Sequence, residues 1–118
     1  MRSRGPGATE QELEPLVGLF RLLSDKTRIK ILLLLAQGER NVTSLCEELG
    51  LPQPTVSHHL GLLRMNNLIA NRRHGKQVFY GLNGCVDAGG ATAVTITVAD
   101  YEVRIADRAP VGAGSAGG

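Results

Sequence analysis

Between Leu49 and Asn67 the chain reads LGLPQPTVSHHLGLLRMNN, and the first six of these residues leave the backbone few choices. Gly50 is free to take the left-handed conformation that ends a helix. Pro52 and Pro54 bracket a tight connection, because each fixes its own φ and restrains the residue before it. Pro54 also suits the first turn of a new helix, where its missing N–H costs nothing. Apolar residues follow at Val56, Leu60 and Leu63, which fall on one side of a helical wheel. A helix, a sharp turn and a second helix reaching about Asn66 are expected, with Asn67 taking the αL stop that Gly usually fills.

Upstream, Thr43 is placed to cap the short helix SLCEEL that Gly50 ends. Ser24 and Asp25 offer capping oxygens for an earlier helix, Lys26 to Gln37, stopped by Gly38. Its run IKILLLLA is apolar on nearly every side, as a central buried helix should be. Before it, Thr9 and Glu12 form a capping box, and Leu13, Leu16, Val17, Phe20 and Leu23 make one face of a first helix. Pro15 opposes a start at Thr9, so this helix either kinks there or begins near Glu14.

Downstream of Asn67 the apolar period changes from helical to alternating. LIANRR and KQVFYGL flank His74–Gly75, a two-residue turn candidate, which gives a β-hairpin with a basic tip. After GCVDAGGATA, the runs VTITV and YEVRI are separated by Ala99–Asp100. That loop sets Val98 opposite Tyr101, Ile96 opposite Val103 and Val94 opposite Ile105, with all six on one face; this agreement predicts a second hairpin. The expected organisation is a flexible tail over 1–8, a folded unit over 9–83, a Gly-rich connector over 84–93, a hairpin over 94–106 and a flexible tail over 107–118. The hairpin's apolar face must be covered by its own domain or by a partner subunit.

Three helices, a fourth after a tight turn, and a basic hairpin are the element order of a winged helix-turn-helix. The fold class expected is therefore mainly α with β: four helices plus a β-wing, followed by an extra C-terminal hairpin. The charge pattern points the same way. From Leu51 to Val86 there are four basic residues (Arg64, Arg72, Arg73, Lys76), all three histidines and no acid, while elsewhere nine basic residues face eleven acidic ones. A locally basic stretch on a near-neutral chain suits a polyanion, here double-stranded DNA.

Candidate DNA-contacting residues follow from the wheel. Gln53, Pro54, Thr55, Ser57 and His58 lie on or beside the outer side of the fourth helix and are small or hydrogen-bonding, as close approach to base edges requires. Arg64 lies near its end, and Arg72, Arg73, His74 and Lys76 belong to the wing. Adjacent residues on a helix point about 100° apart, so His58 and His59 do not grip one metal ion. His58 faces outward, whereas His59 sits at the border of the core, about 60° from Val56, where a ring nitrogen finds a hydrogen-bond partner.

Other classes find less support. No nucleophile–base arrangement or paired-carboxylate motif suggests an enzyme. The longest apolar run, Ile31 to Ala36, is too short to cross a bilayer. The first ten residues contain no apolar signal region, so a cytoplasmic chain without membrane partners is expected. Cys46 and Cys85 do not make a disulfide framework, though two thiols could serve a redox or soft-metal response.

The segments LSDKTRIKILLLL, LGLPQPTVSHHLGLLR and RRHGKQVFYGLN resemble the ArsR/SmtB family of bacterial winged-helix repressors, over about residues 12 to 83. The resemblance implies a homodimer that binds a palindromic operator and is released by an effector, often a metal ion. It also exposes departures. Where arsenic and cadmium sensors of that family carry Cys-x-Cys, this chain has Asn41, Val42 and Thr43, with Cys46 beside the motif and not on it. Where zinc sensors carry ligands on a C-terminal helix, this chain has no histidine after Asn83 and reads as strands. The expectation is a repressor with no bound cofactor and with an effector other than those metals. In the family the C-terminal helix pairs with the first helix at the dimer interface; here a hairpin stands in its place.

Overall fold

The structure is a computed structural model and describes residues 9–90 and 93–108. The expected tail over 1–8, all of the expected tail over 107–118 except Asp107 and Arg108, and the connector residues 91 and 92 lie outside the described residues. Among the described residues the chain forms four helices and six strands.

Helix α1 spans Glu10–Leu23 and starts from a complete capping box: Thr9 accepts from the Glu12 N–H, and the Glu12 side chain accepts from the Thr9 N–H. Pro15 lies inside this helix, so the start at Thr9 prevails. The ring and the Gln11 carbonyl four residues back are both on the exposed side, where water can replace the lost bond. The face expected to pack is only partly right. Leu19, Leu22 and Leu23 are buried, whereas Val17 is 41% and Phe20 52% exposed. The buried set is the one turned toward α2 (Lys26–Ala36) and a C-terminal strand.

Asp25 caps α2, accepting from the Thr27 and Arg28 N–H groups at 2.9 and 3.2 Å. Gln37 ends the helix in right-handed geometry and Gly38 follows at φ +143°. Ile31, Leu32 and Leu35 are buried; Leu33 and Leu34 are only half-buried, so α2 has one outer side after all.

Strand β1, Arg40–Asn41, leads directly into α3, Val42–Leu49. Asn41, not Thr43, caps α3: its Oδ1 accepts from the Ser44 N–H at 2.8 Å. The reason is pairing of Arg40 with Tyr80 and Asn41 with Phe79, which holds the backbone extended through Asn41. Gly50 ends α3 at φ +67°, and Pro52 leads into α4, Gln53–Met65. Asn67 follows in the left-handed region at φ +63°.

The wing consists of β2 (Ile69–His74) and β3 (Gln77–Leu82), joined by Gly75–Lys76, one residue later than the expected His74–Gly75 turn. Gly75 takes φ +65° at the first turn position, which a tight hairpin demands of its glycine. With β1 added, the wing is a three-stranded sheet of order β1-β3-β2.

The expected connector holds a strand, β4 (Val86–Ala88), which pairs with β5 (Ala93–Val98). The second hairpin, β5 with β6 (Tyr101–Ala106), has the expected register: Val94 with Ile105, Ile96 with Val103, Val98 with Tyr101. The C-terminal element is thus a three-stranded sheet, β4-β5-β6. Its apolar face joins the helical core, for Val86, Val94 and Ile96 cluster with Leu19, Leu32, Leu60 and Leu68.

Candidate nucleic-acid interface

Helix α4 presents two sides of opposite character. Val56, Leu60 and Leu63 are at most 1% exposed and seat it in the core. Gln53, Pro54, Ser57 and His58 are exposed, Thr55 and Gly61 half-buried. Pro54, His58, Gly61 and Met65 follow i, i+4, i+7 spacing and so form one outer stripe. Met65, 78% exposed, was not among the expected site residues, although the wheel places it opposite Val56. Arg64 is exposed on the flank of this stripe, in the last turn, where a cation also favours the helix dipole.

Gly61 sits in the middle of the helix, where glycine costs about 1 kcal/mol relative to alanine. A Cβ at this position would meet no described atom within 4 Å beyond its two neighbours and the backbone of α4 itself. Packing within the chain therefore does not require this glycine.

The two histidines separate as the wheel predicts. His58 is exposed, and its ring lies 5.6 Å from that of His59 at a tilt of 59°. His59 is half-buried, and its Nδ1 accepts a hydrogen bond from Arg28 Nε at 3.2 Å. The Arg28 guanidinium also donates to the Leu22 carbonyl at 3.1 Å. Asp25 completes the cluster: partial desolvation pushes its carboxyl up, but bonds from the Arg28 and Thr27 N–H groups, with the nearby His59 and Arg28, outweigh this and hold it below the usual range. The end of α1, the start of α2 and the middle of α4 are thereby tied together.

In the wing, successive side chains alternate between faces. Arg72 stands directly opposite Phe79, with its guanidinium 5.3 Å from the ring centroid, and His74 meets the same ring edge-on at 6.4 Å. Arg73 pairs with Val78 on the other face, so the two arginines point apart. Lys76 occupies the turn, and Arg72, Arg73, His74 and Lys76 are all exposed.

The stretch that is acid-free in sequence is not acid-free in space. Glu39, ahead of β1, accepts from Arg72 Nη2 at 2.7 Å and Nε at 3.1 Å. Gly81 leaves room for this carboxylate, since a Cβ there would lie 3.1 Å from Glu39 Cγ. The Arg72 hydrogen bond holds Glu39 below the usual carboxylate range and pushes Arg72 further up. A second pair, Arg40 Nε to Glu48 Oε2 at 2.7 Å, links β1 to α3 and lowers Glu48 likewise. Asn41 links the wing to the helical pair: while Oδ1 caps α3, Nδ2 donates to Gln77 Oε1 at 2.9 Å.

The cysteines lie on different elements and both are free thiols. Cys46 is half-buried in α3; Cys85 Sγ donates to the Asn67 carbonyl at 3.3 Å. Among the described residues no group of three or more His, Cys, Asp and Glu side chains is arranged to hold a metal ion. No helix there is long and apolar enough to cross a membrane.

Comparison with known proteins gives this geometry a context. Residues 25–70 match the family described as bacterial regulatory protein, arsR family. The chain is 47% identical over 66 residues to the HTH-type transcriptional regulator KmtR of Mycobacterium tuberculosis, a span covering 56% of this chain and 51% of that protein. It thus spans about half of that regulator's length. It is 42% identical over 79 residues to the arsenical resistance operon repressor of Escherichia coli, covering 66% of this chain and 68% of the repressor. Among solved structures, reduced HlyU from Vibrio cholerae superposes with a TM-score of 0.61 at 32% identity, over 64% of this chain and 79% of that one. The homodimeric winged helix-turn-helix DNA-binding domain of Mb0332 from Mycobacterium bovis gives 0.58 at 30%, over 68% and 77%. With the helix-turn-helix, the wing and these relatives in agreement, the chain belongs to the arsR family of winged helix-turn-helix, DNA-binding transcriptional regulators.

Proposed function

We propose that this chain is a homodimeric repressor, with no catalytic role, that reads a two-fold symmetric operator through α4 and is released by an effector other than the familiar metal ions. The observation that carries this reading is the division of α4. Its buried side fixes the helix rigidly, and its outer side offers Pro54, Ser57, His58 and Gly61 with little bulk to obstruct a groove ahead of Met65 in the last turn. In this reading Gln53, Thr55, Ser57 and His58 meet base edges. Pro54 starts the helix at the groove, and Arg64, Arg73, His74 and Lys76 meet phosphates. Arg72 is also a phosphate ligand, but one that must first leave Glu39.

The dimer is supported by the exposed apolar residues Val17 and Phe20 on α1 and by the homodimeric relative from Mycobacterium bovis. The choice of effector is supported by Asn41, which stands where some family members carry a cysteine ligand and here spends both ends of its amide on structural bonds.

Gel-shift titration on the DNA upstream of the gene tests the reading. Protection of two half-sites about 34–36 Å apart is expected. Stoichiometric zinc, cadmium or arsenite should leave the complex intact. Protection of a single half-site, or release by one of these metals, overturns the corresponding part.

A further inference from the structure

We propose that β6 is a self-complementary edge, through which two copies of this chain join their C-terminal sheets into one continuous six-stranded sheet. The inference rests on the homodimer reading and names one part of its contact surface, beside the exposed α1 residues Val17 and Phe20. Among the described residues the sheet order β4-β5-β6 leaves β6 paired on one side only. The opposite edge is blunted by length, since β4 has three residues, whereas β6 has six and pairs with β5 without a break in register. An unpaired edge of this kind presents backbone N–H and C=O groups to any second strand. Among the described residues β6 holds no proline, no lysine and no bulge, and its only charges are Glu102 and Arg104, which are of opposite sign.

Its side chains specify which strand fits. Around Val103 the sequence reads Tyr101, Glu102, Val103, Arg104, Ile105. When two copies run antiparallel with Val103 at the two-fold axis, Glu102 of each stands opposite Arg104 of the other. Tyr101 stands opposite Ile105, and Val103 opposite itself. Opposed residues share a face, so the charged pairs meet on the solvent side and the apolar ones on the core side, where Val103 and Ile105 already pack. Within the chain Glu102 and Arg104 stand opposite Thr97 and Thr95, both are exposed, and among the described residues neither is in an ion pair. Their opposite charges, two residues apart, are of no use to β5 and complementary to a second β6. A shift by one residue would set apolar side chains against charged ones, so this register is favoured over its neighbours.

The test is a charge reversal followed by sedimentation equilibrium of the full chain. In Glu102→Arg homodimers both cross-strand pairs become like-charged, and the same holds for Arg104→Glu. Each variant alone should dimerise about tenfold more weakly, or worse, than wild type at low salt. An equimolar mixture of the two should recover wild-type association as a heterodimer, because both opposed pairs are then of unlike charge, and so should Glu102→Arg/Arg104→Glu. Recovery in the mixture also shows that the single variants are folded. Should a reversal fail to fold by circular dichroism, Glu102→Gln and Arg104→Gln serve instead, with the double variant expected to be no weaker than either single one. Single variants that dimerise like wild type, or a mixture that gains nothing, would defeat the edge pairing and leave the dimer reading standing. A wild-type chain that stays monomeric at tens of micromolar would defeat the dimer reading and the edge pairing with it.

Discussion

Arg28 Nε donates to His59 Nδ1 at 3.2 Å, across 31 residues of sequence, and so fixes the outward helix α4 to the start of α2. His58, next in sequence, is exposed and makes no such bond among the described residues. The two histidines therefore answer to different substitutions. His59→Ala is expected to lower stability by about 1 kcal/mol, the usual loss for one side-chain hydrogen bond, and to weaken all DNA sequences alike. His58→Ala should leave the melting temperature unchanged and relax sequence preference. Thermal melts beside binding to operator and scrambled DNA make the comparison, and a variant pair that behaves identically would remove the distinction.

Glu39 occupies Arg72, an arginine proposed above as a phosphate ligand. Glu39→Gln should free it, tighten binding to any duplex and steepen the salt dependence by about one unit, since each added phosphate contact releases roughly one counterion. Arg72→Ala in the same background should reverse the gain. Isothermal titration at several salt concentrations reads both slopes. Exposed ion pairs contribute little to stability, so neither variant should shift the melt by much.

What the sequence revealed, and what it did not, divides along the range of the interactions. The seating of α4 was legible because Val56, Leu60 and Leu63 repeat with the helix period, and so was the second hairpin, whose three apolar pairs agree on one register. Strands β1 and β4 were not. Two or three residues carry no measurable alternation, and each exists because a longer strand lies alongside it. Glu39 meets Arg72 only because β1 pairs with β3, so an acid 33 residues away in sequence enters a stretch that looked free of acids. On α1 the apolar residues run nearly all round, and the face read from periodicity took Phe20 where Leu19 is the residue that faces the core. The wing turn was misplaced by one residue, because glycine can serve at either central position.

Asp25 gives a pH dependence with a definite sign. Its carboxyl is held below the ordinary aspartate range, so the unfolded chain takes up its proton before the folded one does. The stability it contributes is fully present above the ordinary range, about 3.9, and is lost as the pH falls through the lowered folded value. Asp25→Asn keeps an N-capping side chain and removes only the charge. Its melting temperature should fall less steeply than that of wild type between about pH 5 and pH 3. Parallel slopes would mean that other carboxylates, such as Glu39 and Glu48, carry the acid limb.

Gly61 predicts a trade between stability and binding. Outside the backbone of α4 itself and the two neighbouring residues, no described atom lies within 4 Å of a Cβ built there, so Gly61→Ala meets no clash. The substitution should stabilise α4 by about 0.5–1 kcal/mol, the difference between the two residues inside a helix. If the outer stripe approaches DNA closely, the added methyl should weaken operator binding at the same time. A variant that is both more stable and equally tight would place the groove contact elsewhere on α4.

The C-terminal sheet yields the last prediction, because it shares the core and is not merely attached to it. Ile96 is fully buried and stands opposite Val86 on one side and Val103 on the other. Together with Val98 it lines a cleft whose other walls include Leu19 and Leu22 of α1 and Leu68 beyond α4. Ile96→Ala should therefore cost about 2–5 kcal/mol, the range for truncating a buried aliphatic side chain. Thr97→Ala, one residue on and exposed, should change stability by less than about 0.5 kcal/mol. A chain ending after Asn83 would uncover Leu19, Leu22 and Leu68 together, and is expected to melt well below the full chain with reduced cooperativity. Calorimetry distinguishes the cases. A shared core gives one transition in the full chain, lowered by Ile96→Ala; a separate appendage gives two transitions, only one of which responds, and a shortened chain that melts like the parent.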